Sequence, residues 1–262
     1  FNDGQDILLY NITVTFLKDF EAFQRAKGNS NNTIGIYLGA VRSLYSSAIN
    51  EDRLAIDKNP FQHYKIPKTS RTRKRALSQE NLSKLANLNY KKESTLWHAQ
   101  NYMLIMFYCR GMNFVDLVKL KVHNIVGDRL YYGRSKTGDQ LSIKLNKKLH
   151  EILSYYLNLT KTDYLLPTNY DGSTEHYQKY KSQRRRMNER LKQMAIDAGL
   201  DAVFTTYTIR HSWATLAKYS GISTTLISEG LGHSSVKTTE IYLKDFENVV
   251  LDEVSDKVAS LI

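Results

Sequence analysis

Cysteine is nearly absent from this chain, with Cys109 its single example. One thiol excludes an intramolecular disulfide and any multi-cysteine zinc site. Cys109 closes the apolar run that starts at Tyr102, so a buried structural thiol is expected. Long hydrophobic stretches are missing too: this eight-residue run is the longest strongly apolar one, and a membrane helix needs about twenty residues. No signal-peptide pattern is present, and neither an internal repeat nor a low-complexity segment is visible. These absences point to an intracellular protein with no membrane partner. The chain begins at Phe1 rather than Met, which leaves room for a domain before it.

Acidic residues are the last shortage. Lys and Arg number 37 against 26 Asp and Glu, a formal surplus of 11 positive charges. Such a surplus suits a polyanionic partner, with nucleic acid the leading candidate. The 42% hydrophobic content supports a packed core rather than disorder. A length of 262 residues suggests two domains of unequal size.

The first sixty residues read as helical. Thr13 is placed to N-cap a segment in which Phe16, Leu17, Phe20 and Phe23 recur at helical spacing. A second helix is expected from about Thr33, with Ile34, Leu38, Val41, Leu44, Tyr45 and Ala48 on one stripe. Asn59-Pro60 breaks the pattern. The whole suggests a bundle of about four helices over residues 1–64. Residues 65–75 carry six basic side chains, Lys65, Lys68, Arg71, Arg73, Lys74 and Arg75, with no apolar periodicity after Ile66. They read as a linker laid along phosphates, although a solvated charge run is the alternative.

Residues 76–262 form the second predicted domain. Ser78 with Glu80 marks a helix start. A buried helix is expected from about Trp97 to Cys109, and another begins at Phe114. The period then shortens: Ile125-Val126, Leu130-Tyr131-Tyr132 and the alternating Leu141, Ile143 and Leu145 predict a three-stranded antiparallel meander with two tight turns. Helices resume at Asn146 and dominate to the end. The fold class is therefore mainly α with a small antiparallel sheet. A basic helical cluster, Arg184-Arg185-Arg186 with Arg190 and Lys192, is either a solvated face or a contact to DNA backbone. The tail stripe Val249, Val250, Leu251, Val254, Val258, Leu261 and Ile262 suits docking into a neighbouring copy, or packing on its own domain.

Chemistry concentrates near the carboxy terminus. Tyr242 stands nine residues after His233 and follows Arg210 by 32. A tyrosine, a histidine and an arginine suit covalent phosphoryl transfer through a phenolic oxygen. Phenol ionises only near pH 10, so it needs cationic donors around the phosphate and a nearby proton acceptor.

The segments Thr205-Thr206-Tyr207-Thr208-Ile209-Arg210-His211-Ser212-Trp213-Ala214, Leu231-Gly232-His233-Ser234 and Thr238-Thr239-Glu240-Ile241-Tyr242-Leu243-Lys244 resemble the catalytic boxes of the tyrosine recombinases, the phage-integrase-like site-specific recombinases. The resemblance extends over the whole chain, as a helical SAM-like core-binding domain, a basic linker and a catalytic domain. It is closest to integrases of Bacteroides-type mobile elements, through the phrase Arg110-Gly111-Met112-Asn113-Phe114-Val115-Asp116-Leu117.

The resemblance implies a role for each matching residue. Tyr242 would be the nucleophile, forming a 3′-phosphotyrosyl link to DNA. Arg210 would hold non-bridging phosphate oxygens, His233 would donate to a phosphate oxygen or relay the proton of Tyr242, and Lys136 would be general acid to the 5′-oxygen. No metal or other cofactor is then required. His211 and Trp213 are expected to pack and orient the helix of Arg210. The family's first arginine falls on Asn113 here, which has no charge. Its substitute is either Arg110, three residues earlier on the same helical face, or Arg134, two before Lys136 and so on the same side of a strand; Arg110 is preferred. Tyr207 stands where the family has histidine, leaving a phenol as the available donor. The implied partners are double-stranded DNA carrying recombination sites, three further copies of the chain in a tetramer, and accessory DNA-bending or directionality proteins. The implied location is the bacterial cytoplasm, at the nucleoid. The competing readings are a type IB topoisomerase-like nicking-closing enzyme and a catalytically silent DNA-binding relative.

Overall fold

In the computed structural model, residues 4–68, 76–243, 255, 256 and 258–260 are described, the side chains of Ile241 and Tyr242 excepted. The chain divides into two compact units, Phe1–Arg73 and Lys74–Ile262. The architecture is mainly helical with one small antiparallel sheet. Among the described residues no helix is long and apolar enough to cross a membrane.

The first unit is built on two α-helices, α1 (Val14–Ala26) and α2 (Asn31–Asn50). Thr13 caps α1 by accepting from the Phe16 amide at 3.2 Å. Ser30 caps α2, accepting from the Thr33 amide at 3.3 Å, so that helix starts two residues before the expected Thr33. Leu17, Ile34, Leu38 and Tyr45 form its core, and the Tyr45 hydroxyl donates to the Ile12 carbonyl at 3.0 Å. The expected bundle of four helices does not form among the described residues. Single 3-10 turns at Leu9–Asn11, Ile56–Lys58 and Pro60–Gln62 take the place of the other helices. Asp52 at φ 55° ends α2, and Asn59 accepts from the Phe61 amide at 3.0 Å, which caps a turn begun by Pro60.

The second unit packs around α4 (Thr95–Tyr108), which follows α3 (Gln79–Ala86). Seven of the fourteen α4 residues are buried, including Tyr102, Met103, Ile105 and Met106. Truncating one such side chain to Ala costs about 2–5 kcal/mol. Gln100 is the polar exception: its Nε2 donates to the carbonyls of Leu85, Ala86 and Leu88 at 3.0, 3.2 and 2.8 Å, satisfying the end of α3. Cys109 is fully buried, and burial pushes its thiol pKa up to about 12, as expected for a structural thiol.

A short helix α5 (Phe114–Leu117) leads to the sheet β1 (Ile125–Val126), β2 (Arg129–Gly133) and β3 (Gln140–Lys144). The strands run in sequence order and antiparallel, with Leu130 opposite Ile143 and Tyr132 opposite Leu141. Leu130 and Tyr132 point inward, and Arg134 continues that alternation into the interior. The β2–β3 connection spans residues 134–139 rather than forming a tight turn. It is closed by the Arg134 amide on the Asp139 carbonyl at 2.9 Å and the Gly138 amide on the Arg134 carbonyl at 2.8 Å. The remaining helices are α6 (Lys147–Leu159), α7 (Tyr177–Asp197), α8 (Thr206–Tyr219), α9 (Thr224–Gly230) and α10 (Val236–Tyr242).

Candidate active site

An open cleft of about 680 Å³ lies within the second unit. Its lining includes Arg134, Lys136 and Thr137 from the β2–β3 connection, the N-cap Asn113 with Phe114 and Val115 of α5, Tyr180, Arg184 and Asn188 from α7, the N-cap Thr205 with Thr206 and Tyr207 of α8, and His233. Arg210 stands behind this wall, 2% exposed, in the middle of α8.

Arg210 is held by groups far away in sequence. Its Nη1 donates to the Gly111 carbonyl at 2.9 Å, and its Nη2 donates to the Leu231 carbonyl at 2.6 Å. The same Nη2 lies 3.1 Å from His233 Nε2. A guanidinium has only donors, so Nε2 is the acceptor and carries no proton. The other ring nitrogen, Nδ1, must then bear the hydrogen, which goes to Thr239 Oγ1 at 2.8 Å. Thr239 is completely buried on α10. Geometry therefore fixes both the tautomer and the neutral state of His233. Its pKa is lowered to about 4, first by burial and then by the positive charges of Arg210, Arg134 and Lys136.

The two arginines considered as substitutes for the uncharged Asn113 are placed differently. Arg110 and Asn113 share no helix: α4 ends at Tyr108, Arg110 adopts φ 57°, and Asn113 is the N-cap of α5. The helical-face argument for Arg110 therefore fails, because a left-handed turn separates the two residues. Arg110 packs with its Cδ over Gly230, beside the Trp213 ring, and does not line the cleft. Arg134 does line it, although only 5% exposed. Its Nη1 donates to the Gly232 carbonyl, and its Nε is buried with no hydrogen-bond partner among the described residues.

Lys136 is exposed on the same connection and faces the same cleft. The connection is anchored by Asp116, whose buried carboxylate accepts from the Ser135 amide at 2.8 Å, between the two cations. Tyr207 lies on the cleft, 53% exposed, its ring edge-on to His211 with centroids 4.5 Å apart. His211 itself is buried and outside the lining. The basic cluster on α7 separates by position: Arg184 reaches the cleft and lies over Tyr180, Arg185 makes an exposed ion pair with Glu189 at 3.4 Å, and Arg186 lines a smaller cavity with Arg190 and Tyr102.

Tyr242 is the last residue of α10. Its side chain lies outside the described residues, as do Arg71, Arg73, Lys74 and Arg75 and most of the apolar tail stripe. Lys65 and Lys68 are exposed in the first unit, and Val258 is exposed in the tail. Sequence reasoning assigns no role to Thr239, Asp116, Gly111 or Gly232. The partners of Gly111 and Gly232 lie about a hundred residues away, that of Asp116 lies 19 away on the β2–β3 connection, and that of Thr239 is the nearby His233.

The Phage integrase family profile matches residues 75–248, more than half of the chain, and a Phage integrase SAM-like domain profile matches residues 1–66. The chain belongs to the phage integrase family. Among curated relatives, the tyrosine recombinase XerD of Oceanobacillus iheyensis is 26% identical over 240 residues, covering 88% of this chain and 77% of that protein. Two solved structures share the fold. A lambda integrase tetramer bound to a Holliday junction has a TM-score of 0.68 at 18% identity and covers 92% of this chain and 67% of that one. The Tn1549 transposon integrase in complex with circular intermediate DNA has a TM-score of 0.66 at 15% identity, covering 95% and 86%. Membership of this family makes the chain a site-specific recombinase, a DNA strand-transferring enzyme.

Proposed function

We propose that this recombinase cleaves and rejoins DNA through Tyr242, with Arg210, Arg134, His233 and Lys136 as the chemical groups of the cleft. The phenolic oxygen attacks the scissile phosphorus, the bond from phosphorus to the 5′-oxygen breaks, and a 3′-phosphotyrosyl ester forms. The tyrosine loses one proton and the 5′-oxygen gains one, so the step balances without water. His233 takes the proton from Tyr242 at Nε2 once Arg210 Nη2 turns from that nitrogen to the phosphate, and Lys136 gives one to the leaving oxygen. Arg210 and Arg134 stabilise the charge that grows on the non-bridging oxygens. The phosphotyrosyl bond keeps the energy of the broken ester, so rejoining to another strand's 5′-hydroxyl needs no ATP.

The observation that supports this reading is the cluster of Arg134, Arg210 and His233 from three segments of the chain, with Arg134 and His233 on the cleft wall and Arg210 behind it, bonded to His233 in a single tautomer. We assign residues 1–64 to core DNA binding, 65–75 to a basic linker tracking phosphates, and 76–262 to catalysis, supported by the two compact units. The chain acts as a tetramer on two duplexes in the bacterial cytoplasm, at the nucleoid, with accessory DNA-bending or directionality proteins. Within the family we infer kinship with the integrases of Bacteroides-type mobile elements, on the phrase Arg110 to Leu117.

The test is a plasmid carrying two copies of the candidate attachment site. The reading expects recombined products from the parent chain and none from Tyr242→Phe. Relaxed plasmids without exchange would instead support a nicking-closing enzyme, and binding without either product would support a silent relative.

A further inference from the structure

We propose that Gly111 and Gly232 are positioning residues of strand cleavage, each a left-handed glycine on which one arginine of the cleft is seated. This rests on the reading that Arg134 and Arg210 hold the scissile phosphate. Gly111 has φ 69° and Gly232 has φ 63°. A Cβ added to Gly111 would stand 2.8 Å from Arg210 Cα and 3.1 Å from its Cγ. One added to Gly232 would stand 2.7 Å from Arg134 Cδ. In both cases the same glycine's carbonyl receives that arginine's Nη1, so the residue grips stem and head at once.

The pairing is selective. Gly127 and Gly221 are also left-handed, at φ 57° and 80°, yet a Cβ on either meets nothing within 4 Å. Those two serve only the turn, whereas Gly111 and Gly232 serve the turn and leave room for a buried cation. The two seats differ in how a methyl would be relieved. At Gly111 the obstacle is the backbone of α8, so the turn or the helix must move. At Gly232 it is a side chain, and the cheapest relief is displacement of the Arg134 guanidinium, about an ångström being enough to slow a positioned reaction by up to ~10²-fold.

Gly232→Ala is therefore the informative variant, measured by single-turnover cleavage of a nicked suicide duplex beside Arg134→Ala, the double variant and the strain control Gly127→Ala. Gly232→Ala should slow cleavage by at least about tenfold with DNA affinity kept, and should add less than about twofold once Arg134 is already Ala, the signature of coupled residues. Gly127→Ala should leave the rate unchanged. If the Gly232→Ala protein is too unstable to assay, the double variant should melt above the single one, because the obstructing Cδ is gone, while staying below the parent by the left-handed strain that Gly127→Ala reports. Full additivity of the two penalties, an equal slowing by Gly127→Ala, or a double variant no more stable than the single one would each overturn the seat. An Arg134→Ala variant of parental rate would instead overturn the underlying reading of the arginine.

Discussion

Arg210 donates through Nη2 to His233 Nε2 at 3.1 Å, and this one hydrogen bond decides that Nε2 is unprotonated and a hydrogen-bond acceptor in the DNA-free protein. Thr239 completes the assignment from the other side of the ring. Nitrogen-15 NMR of the DNA-free protein should show His233 protonated on Nδ1 alone and neutral down to about pH 4, against an ordinary value of 6.5. Because the folded pKa is depressed, the unfolded chain takes up the proton first. The site's contribution to stability is thus complete above about pH 6.5 and is lost as pH falls toward 4. Replacing His233 by Gln should remove that part of the pH dependence of melting. Thr239→Val, which offers no acceptor, should slow cleavage about tenfold or more by leaving Nδ1–H unsatisfied, while Thr239→Ser should restore it. An Nε2-protonated tautomer would contradict the assignment.

The choice between the two arginines can be measured directly. Loss of one pre-aligned cationic donor commonly costs about 3–4 kcal/mol, or about 10²–10³ in rate. Arg134→Ala should show that loss in single-turnover cleavage, and Arg110→Ala should not. A methylphosphonate at the scissile position removes a negative oxygen, so it should shrink the Arg134→Ala defect. A crippled Arg110→Ala beside an intact Arg134→Ala would reverse the roles.

Lys136 is tested through the leaving group. Lys136→Ala should be slow on ordinary DNA and close to the parent on DNA whose 5′-bridging oxygen is replaced by sulfur, since a thiolate departs without an acid. Equal defects on both substrates would remove Lys136 from the proton path.

Sequence patterns are informative where the signal is local. Caps at Thr13 and Ser78, the apolar run of α4 and the alternation Leu141, Ile143 foretell their elements, because the capping residue or the period sits within a few positions. The placement of Arg110 and Arg134 is not legible in the same way. It depends on a hydrogen bond between Arg134 and Gly232, 98 residues apart, and on a left-handed turn at Arg110 that a helical wheel does not represent. Thr239 is hidden for a similar reason: a threonine in a helix looks ordinary until a histidine from the preceding turn is seen to lean on it. The extra helices expected in the first unit are replaced among the described residues by single 3-10 turns, one of them opened by Asn59-Pro60.

The basic segment is tested by salt. Replacing Lys65, Lys68, Arg71 and Arg73 by Gln should reduce the slope of log affinity against log salt by about 0.9 for each phosphate that is no longer neutralised. An unchanged slope would make the segment a solvated charge run.

Everything proposed for the cleft depends on Tyr242 being the nucleophile. The most direct measurement is mass spectrometry of the protein trapped on a nicked suicide duplex, from which the cleaved strand cannot be rejoined. A DNA-derived adduct on the peptide containing Tyr242, absent from Tyr242→Phe protein that still binds the same duplex, is the predicted result. An adduct on any other tyrosine, or a covalent complex that survives the Phe substitution, would contradict it.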